Sequence, residues 1–157
     1  MSIIEKLETL SIKLPPVSGP FGAYVPAKRV SNLVFVAGQL PMKDGKLMAL
    51  GQVPSRCSID DARAAARQCV INALAAVQSL PGGVDILSGV IRVGAFVSSD
   101  TSFTEQPKVA DAASELLKEI FGEPGQHVRA AVGANILPRD ASVEIEIVFE
   151  CTPSSRS

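Results

Sequence analysis

Apolar residues recur along this chain at two spacings, and the switches between them mark out its elements. Ile3, Ile4, Leu7 and Leu10 lie at helical intervals behind Ser2, with Glu5 placed to complete a capping box, so a short amphipathic helix is predicted over about residues 2–10. The Pro- and Gly-dense stretch from Leu14 to Gly22 excludes a helix and predicts a structured loop. Asn32 to Gln39, rich in β-branched and aromatic residues, reads as a strand closed by Pro41 and followed by a hairpin turn at Lys43-Asp44-Gly45-Lys46. From Ser58, with Asp61 three residues on, helical spacing runs through Ala62, Ala65, Ala66, Cys69, Ala73, Ala76, Val77 and Leu80 to the break at Pro81-Gly82-Gly83. A face made mostly of alanine lets strands approach closely and predicts a helix laid flat on a sheet.

Ile86 to Val97 supplies a further strand, and Pro107 to Ile120 a second amphipathic helix through Val109, Ala112, Ala113, Leu116 and Ile120. Two strands close the chain, Val128 to Ile136 and Ala141 to Glu150, and Leu137-Pro138-Arg139-Asp140 between them predicts an antiparallel hairpin. Strict alternation in the last strand places Val143, Ile145, Ile147 and Phe149 on one face and Glu144 and Glu146 on the other. The order β-β-α-β-α-β-β predicts an α+β fold: a mixed sheet with two main helices on one face and the short N-terminal helix added. Residues 1–157 form one domain in this reading, with 1–18 as an N-terminal extension and 152–157 as a flexible tail.

Composition narrows the class. A chain of 157 residues with 46% apolar side chains supports one core, and with no Trp, one Tyr and six Phe that core is filled by Ala, Val, Leu and Ile. Fifteen basic against sixteen acidic residues, with no block of like charge, leave no footprint for nucleic acid. The longest apolar run, Ile86 to Val97, is interrupted by Ser88, Gly89, Arg92 and Gly94 and is too polar to span a bilayer. The acidic N-terminal segment has the pattern of neither a secretory signal nor a transit peptide, so the expected location is cytoplasmic. Cys57, Cys69 and Cys151 are odd in number and without close pairing, and His127 is the lone histidine, so no metal or cofactor is expected. His127 reads as a surface residue in a turn, with no Ser partner in view for a nucleophilic triad, and Cys69 as an apolar filler.

The candidate chemistry lies in the closing strands. If Ile136 pairs with Ala141, Gly133 falls opposite Glu144 and Arg129 opposite Val148, so Arg129, Ala131 and Gly133 share a face with Glu144, Glu146 and Val148. Ala131 and Gly133 carry little volume and would leave a recess beside the two charges. An arginine there can hold a carboxylate in bidentate fashion, and a glutamate can activate water. The plainer reading is a cross-strand Arg129–Glu144 ion pair on a solvated face. Glu146 reads as an outward structural residue, and Tyr24, in its Gly-rich loop, as either a cleft residue or a packing tyrosine.

The same residues carry a resemblance. Gly22-Ala23-Tyr24, the strand Asn32-Leu33-Val34-Phe35-Val36-Ala37-Gly38-Gln39-Leu40-Pro41, the segment Val128-Arg129-Ala130-Ala131-Val132 and the run Leu137-Pro138-Arg139-Asp140-Ala141-Ser142-Val143-Glu144-Ile145-Glu146 resemble, in order and spacing, the YjgF/RidA (reactive intermediate/imine deaminase) family over about Gly19 to Glu150. The resemblance implies a chorismate-mutase-like α+β fold and a homotrimer whose sheets join into a barrel with ligand clefts between protomers. It implies that Arg129 binds a substrate carboxylate, that Glu144 orients water, and that Tyr24, Ala37, Gly38 and Ala131 line the cleft. The implied reaction is cofactor-free hydrolysis of 2-aminoacrylate-like enamines and imines to 2-keto acids and ammonia. Ala37 stands where active deaminases usually carry Ser, and Ala131 where many carry Cys, which places the chain in a divergent subgroup. The alternative is a non-catalytic trimer of the same fold that binds small carboxylates or acts as a chaperone-like surface. Endoribonuclease descriptions also attach to the family, but the near-neutral charge, the single histidine and the few aromatics disfavour them here.

Overall fold

The computed structural model describes residues 1–17 and 22–153. Residues 18–21 of the predicted loop and residues 154–157 of the predicted tail lie outside the described residues. The N-terminal helix α1 spans Ile3–Thr9. Its predicted capping box is present: the Ser2 hydroxyl accepts from the Glu5 amide at 3.1 Å, and the Ser2 backbone N–H donates to the Glu5 carboxylate at 2.7 Å. Helix α2, Ile59–Val77, starts at the Ser58 cap, and helix α3, Gln106–Phe121, carries Pro107 in its first turn. Both pack on one face of a single sheet, with the alanine face of α2 fully buried, and among the described residues no helix is long and apolar enough to cross a membrane.

The sheet has strands β1 (Ala27–Val30), β2 (Leu33–Gln39), β5 (Leu87–Ser98), β6 (Val128–Ala134) and β7 (Val143–Cys151) in the order β1-β2-β7-β5-β6. The turn predicted at Lys43–Lys46 forms a separate small ladder, β3 (Met42–Lys43) with β4 (Lys46–Leu47), around Asp44 and Gly45, both at positive φ. The partner of β2 on its outer side is instead β1, returned through Ser31 at φ 55°.

The predicted hairpin of the last two strands does not form. Strand β6 pairs in parallel with β5, and β7 pairs antiparallel with β5 on one side and β2 on the other, so β5 lies between β6 and β7. The physical reason is volume. The inward row Val143, Ile145, Ile147 and Phe149 is wholly buried and belongs at the centre of the sheet, whereas β6 offers Arg129, Ala131 and Gly133 on that side and is left at the edge. The connecting chain is held by the 49–51 segment: Gly51 donates to the Asp140 carbonyl at 2.8 Å, and Leu50 bridges Ala141. That contact carries residues 135–142 across β5, which a tight turn would not allow.

Phe149 is fully buried, with its ring 5.9 Å from that of Phe121 at the end of α3. Phe149→Ala is expected to cost about 3–5 kcal/mol in urea unfolding, the range for emptying a phenylalanine site in a packed core. Among the described residues no helix lies on the opposite sheet face. Phe35 and Val132 there are 45% and 47% exposed, beside an Arg92–Glu146 ion pair at 3.2 Å.

Candidate functional site

The residues singled out from the sequence fall into two groups on opposite faces of the sheet. Along β7, Glu144 alternates with the buried Val143 and Ile145 and so points to the helix-free face, where its cross-strand neighbour on β5 is Phe96. Gly38 on β2 lies against it: a Cβ at Gly38 would sit 3.0 Å from the Glu144 carboxylate, so the glycine leaves room for the carboxyl group. The register of β2 shifts between Val36 and Gln39, so Ala37 lies within the irregularity, with the Ala37 amide bonded to the Pro26 carbonyl and the Gln39 side chain to the Ala37 carbonyl, both at 2.9 Å. Among the described residues no group donates to the Glu144 carboxylate. Burial, and then the charge of Glu146, push its pKa above the ordinary glutamate value. Glu146 itself pairs with Arg92, as befits an outward structural residue. Tyr24, 51% exposed, stands in the loop leading into β1.

Arg129 lies on the other side. Its partner on β5 is Val93, whose side chain is buried under the helices, so Arg129 points along the helix-covered face at the sheet edge. Ala131 and Gly133 follow it on that side, beside Ala95 and Val97. A Cβ at Gly133 would come within 2.9 Å of the Gln106 amide nitrogen, so a larger residue there would have to displace the Gln106 side chain. The guanidinium reaches α3: Nη1 donates to the Asp111 carboxylate at 2.8 Å and to the Ser114 hydroxyl at 3.1 Å. Ser114 Oγ is 2.8 Å from His127 Nε2, and His127 Nδ1 is 2.7 Å from the Gly125 carbonyl. These groups wall a surface groove of about 460 Å³ between α3 and β6.

The expected sharing of one face by Arg129 and Glu144 is therefore overturned, because it rested on the hairpin register. It also follows that they are not a cross-strand ion pair. With strands about 4.8 Å apart, Arg129 on β6 is roughly 14 Å across the sheet from Gly38 on β2, and one chain does not bring these residues to a common point. Sequence reading also missed the partner of His127. Ser114 sits 13 residues earlier on a different element, and only the packing of α3 against β6 brings the two together. The three cysteines are buried and free, and burial raises the Cys69 thiol pKa far above its ordinary value, which suits a core filler.

Comparison with known proteins gives a family. The family described as "YjgF/chorismate mutase-like, putative endoribonuclease" matches residues 5–150. Protein TCP17 of Trypanosoma cruzi is 36% identical over 149 residues, covering 94% of this chain and 93% of its own length. A 2-iminobutanoate/2-iminopropanoate deaminase of Dermatophagoides farinae is 30% identical over 138 residues, covering 87% of this chain and 92% of its own length. The solved structure of the protein Atu1372 from Agrobacterium tumefaciens, of unknown function, is 39% identical with a TM-score of 0.86, covering 96% of this chain and 94% of that one.

Proposed function

Because the chain belongs to the YjgF/chorismate mutase-like family, we propose that it hydrolyses small enamine or imine acids to 2-keto acids and ammonia, in clefts that two copies of a homotrimer build together. The observation that carries this reading is the Glu144 carboxylate, half-buried, without a donor among the described residues, raised in pKa and given room by Gly38. A carboxylate so placed takes a proton from water as the oxygen attacks the imine carbon and returns one to the nitrogen as ammonia leaves. The iminium carbon gains the C–O bond and loses the C–N bond, so water is the only co-reactant. No side-chain nucleophile is needed, which is compatible with Ala37 and Ala131.

Arg129 supplies the carboxylate anchor in this reading, from the neighbouring copy. Arg129 and Glu144 occupy opposite faces and separate strands of one sheet. A cleft that uses both must therefore take its arginine from the edge strand of one protomer and its glutamate from the open face of the next. Covering that face also removes Phe35 and Val132 from water, a driving force for assembly. The alternative is carboxylate binding without turnover, and the absence of a polar side chain at Ala37 and Ala131 favours it.

The test is keto-acid and ammonia release from 2-aminoacrylate generated in situ, for wild type, Arg129→Ala and Glu144→Ala at equal protein concentration. Deamination sensitive to both substitutions supports the enzyme. Carboxylate binding that needs Arg129 but not Glu144, with no acceleration of hydrolysis, supports the binding protein.

A further inference from the structure

The groove between α3 and β6 contains a hydrogen-bond chain that the reading above does not use. His127 Nδ1 faces the Gly125 carbonyl at 2.7 Å, and a carbonyl only accepts, so Nδ1 carries the imidazole proton. In the neutral imidazole Nε2 is then the acceptor, and the Ser114 hydroxyl at 2.8 Å donates to it. With its proton committed to His127, Ser114 Oγ turns its lone pairs to Arg129 and accepts from Nη1 at 3.1 Å, while the second Nη1 hydrogen goes to Asp111 at 2.8 Å. Both Nη1 hydrogens are thus used. Among the described residues Nε and Nη2 have no acceptor, which leaves one complete edge of the guanidinium, with its parallel N–H bonds, for a ligand.

We propose that Ser114 and His127 are positioning residues for Arg129: the chain Gly125–His127–Ser114, with Asp111, clamps Nη1 so that the Nε/Nη2 edge is presented to a ligand carboxylate. This rests on Arg129 being the carboxylate anchor of the proposed function. The direction of the chain matters. Because one end is a fixed carbonyl, every proton along the chain has a single placement while the imidazole is neutral, and Ser114 then cannot donate to a bound carboxylate. The anchor is therefore a guanidinium alone. Side-chain entropy of the arginine is spent on folding instead of on binding, so losing the clamp weakens ligand capture without touching the bond-breaking step.

The first readout needs no variant and no substrate. Long-range ¹⁵N spectra of the wild-type imidazole are expected to find Nδ1 protonated and Nε2 bare, and an Nε2–H tautomer overturns the proposal. The second follows the Arg129 Nε–H resonance, assigned by its loss in Arg129→Ala, during titration with 2-oxobutanoate: it is expected to shift, and an unmoved resonance with bound ligand overturns the proposal. In turnover, Ser114→Ala is expected to raise KM for the imine about tenfold with kcat within about twofold, and Ser114→Thr to restore KM. His127→Ala is expected to match Ser114→Ala, with the double variant no worse than either, since both cut one chain. A fall in kcat at unchanged KM, or Thr no better than Ala, overturns it. If the wild type shows no turnover, the deaminase reading fails by itself, and the tautomer and the arginine resonance still decide the clamp.

Discussion

Mixed trimers of Arg129→Ala and Glu144→Gln chains are expected to deaminate at about one third of the wild-type rate, although neither variant alone has appreciable activity. The figure follows from how the two residues lie in one chain. Arg129 is on the edge strand β6 facing α3, and Glu144 is on β7 facing away from the helices, with β5 between them. If each cleft takes its arginine from one protomer and its glutamate from the next around a three-fold ring, an Arg129→Ala chain can still donate Glu144 and a Glu144→Gln chain can still donate Arg129. Going round either possible mixed ring, two of one kind and one of the other, a single cleft receives both intact residues. Co-expression with two tags and sequential purification isolates such rings. Activity near the level of the parent variants would mean that both residues act within one chain, or that one of them does not act, and the shared cleft would have to be abandoned.

The elements were legible from the sequence because they rest on local pattern. The capping box at Ser2 and Glu5, the cap at Ser58, the alanine face of α2 and the alternation of β7 each depend on residues a few positions apart, and each is found where the spacing places it. The family resemblance likewise needed only contiguous motifs. The pairing of β6 was not legible. An antiparallel hairpin between β6 and β7 and a parallel β5-α3-β6 unit leave the same periodicity in each strand, and the choice between them is made by which strand has volume enough to fill the centre. Arg129, Ala131 and Gly133 in fact carried that signal, since a strand with so little apolar bulk on its inner side is a poor centre.

The error in register had a chemical consequence. It placed Arg129 and Glu144 in one recess, when each is built with its own surroundings: Glu144 with Gly38, Phe96 and Glu146, and Arg129 with Asp111, Ser114 and His127. The second set was invisible in the chain because α3 contributes Asp111 and Ser114 from the edge of its apolar stripe, where they read as ordinary solvent-facing residues. Their spacing of three places both on one side of the helix, a signal that becomes usable only once β6 is known to lie alongside.

Glu144→Gln is expected to cut turnover by about 10²–10⁴ and at the same time to raise the stability of the fold at pH 7. Burial and the nearby Glu146 disfavour the Glu144 anion, so the folded chain holds that proton to higher pH than the unfolded chain does. Between the ordinary carboxylate value and the raised one the native state binds more protons, and stability therefore falls as pH rises through that window. Below the window both states are protonated and the penalty is absent; above it the full penalty remains. Glutamine keeps the shape and cannot ionise, so its Tm should exceed that of wild type at pH 7, and the difference should shrink toward zero as the pH is lowered to about 4. Thermal melts of the two proteins over that range measure it. A glutamate held by an ion pair would give the reverse, a depressed pKa and a less stable glutamine variant at pH 7, and that outcome would remove the argument for Glu144 as a base. The two effects belong together: a carboxylate left without a donor and crowded by a second one raises the energy of the fold, and the same lack of partners leaves its oxygens available to take a proton from water.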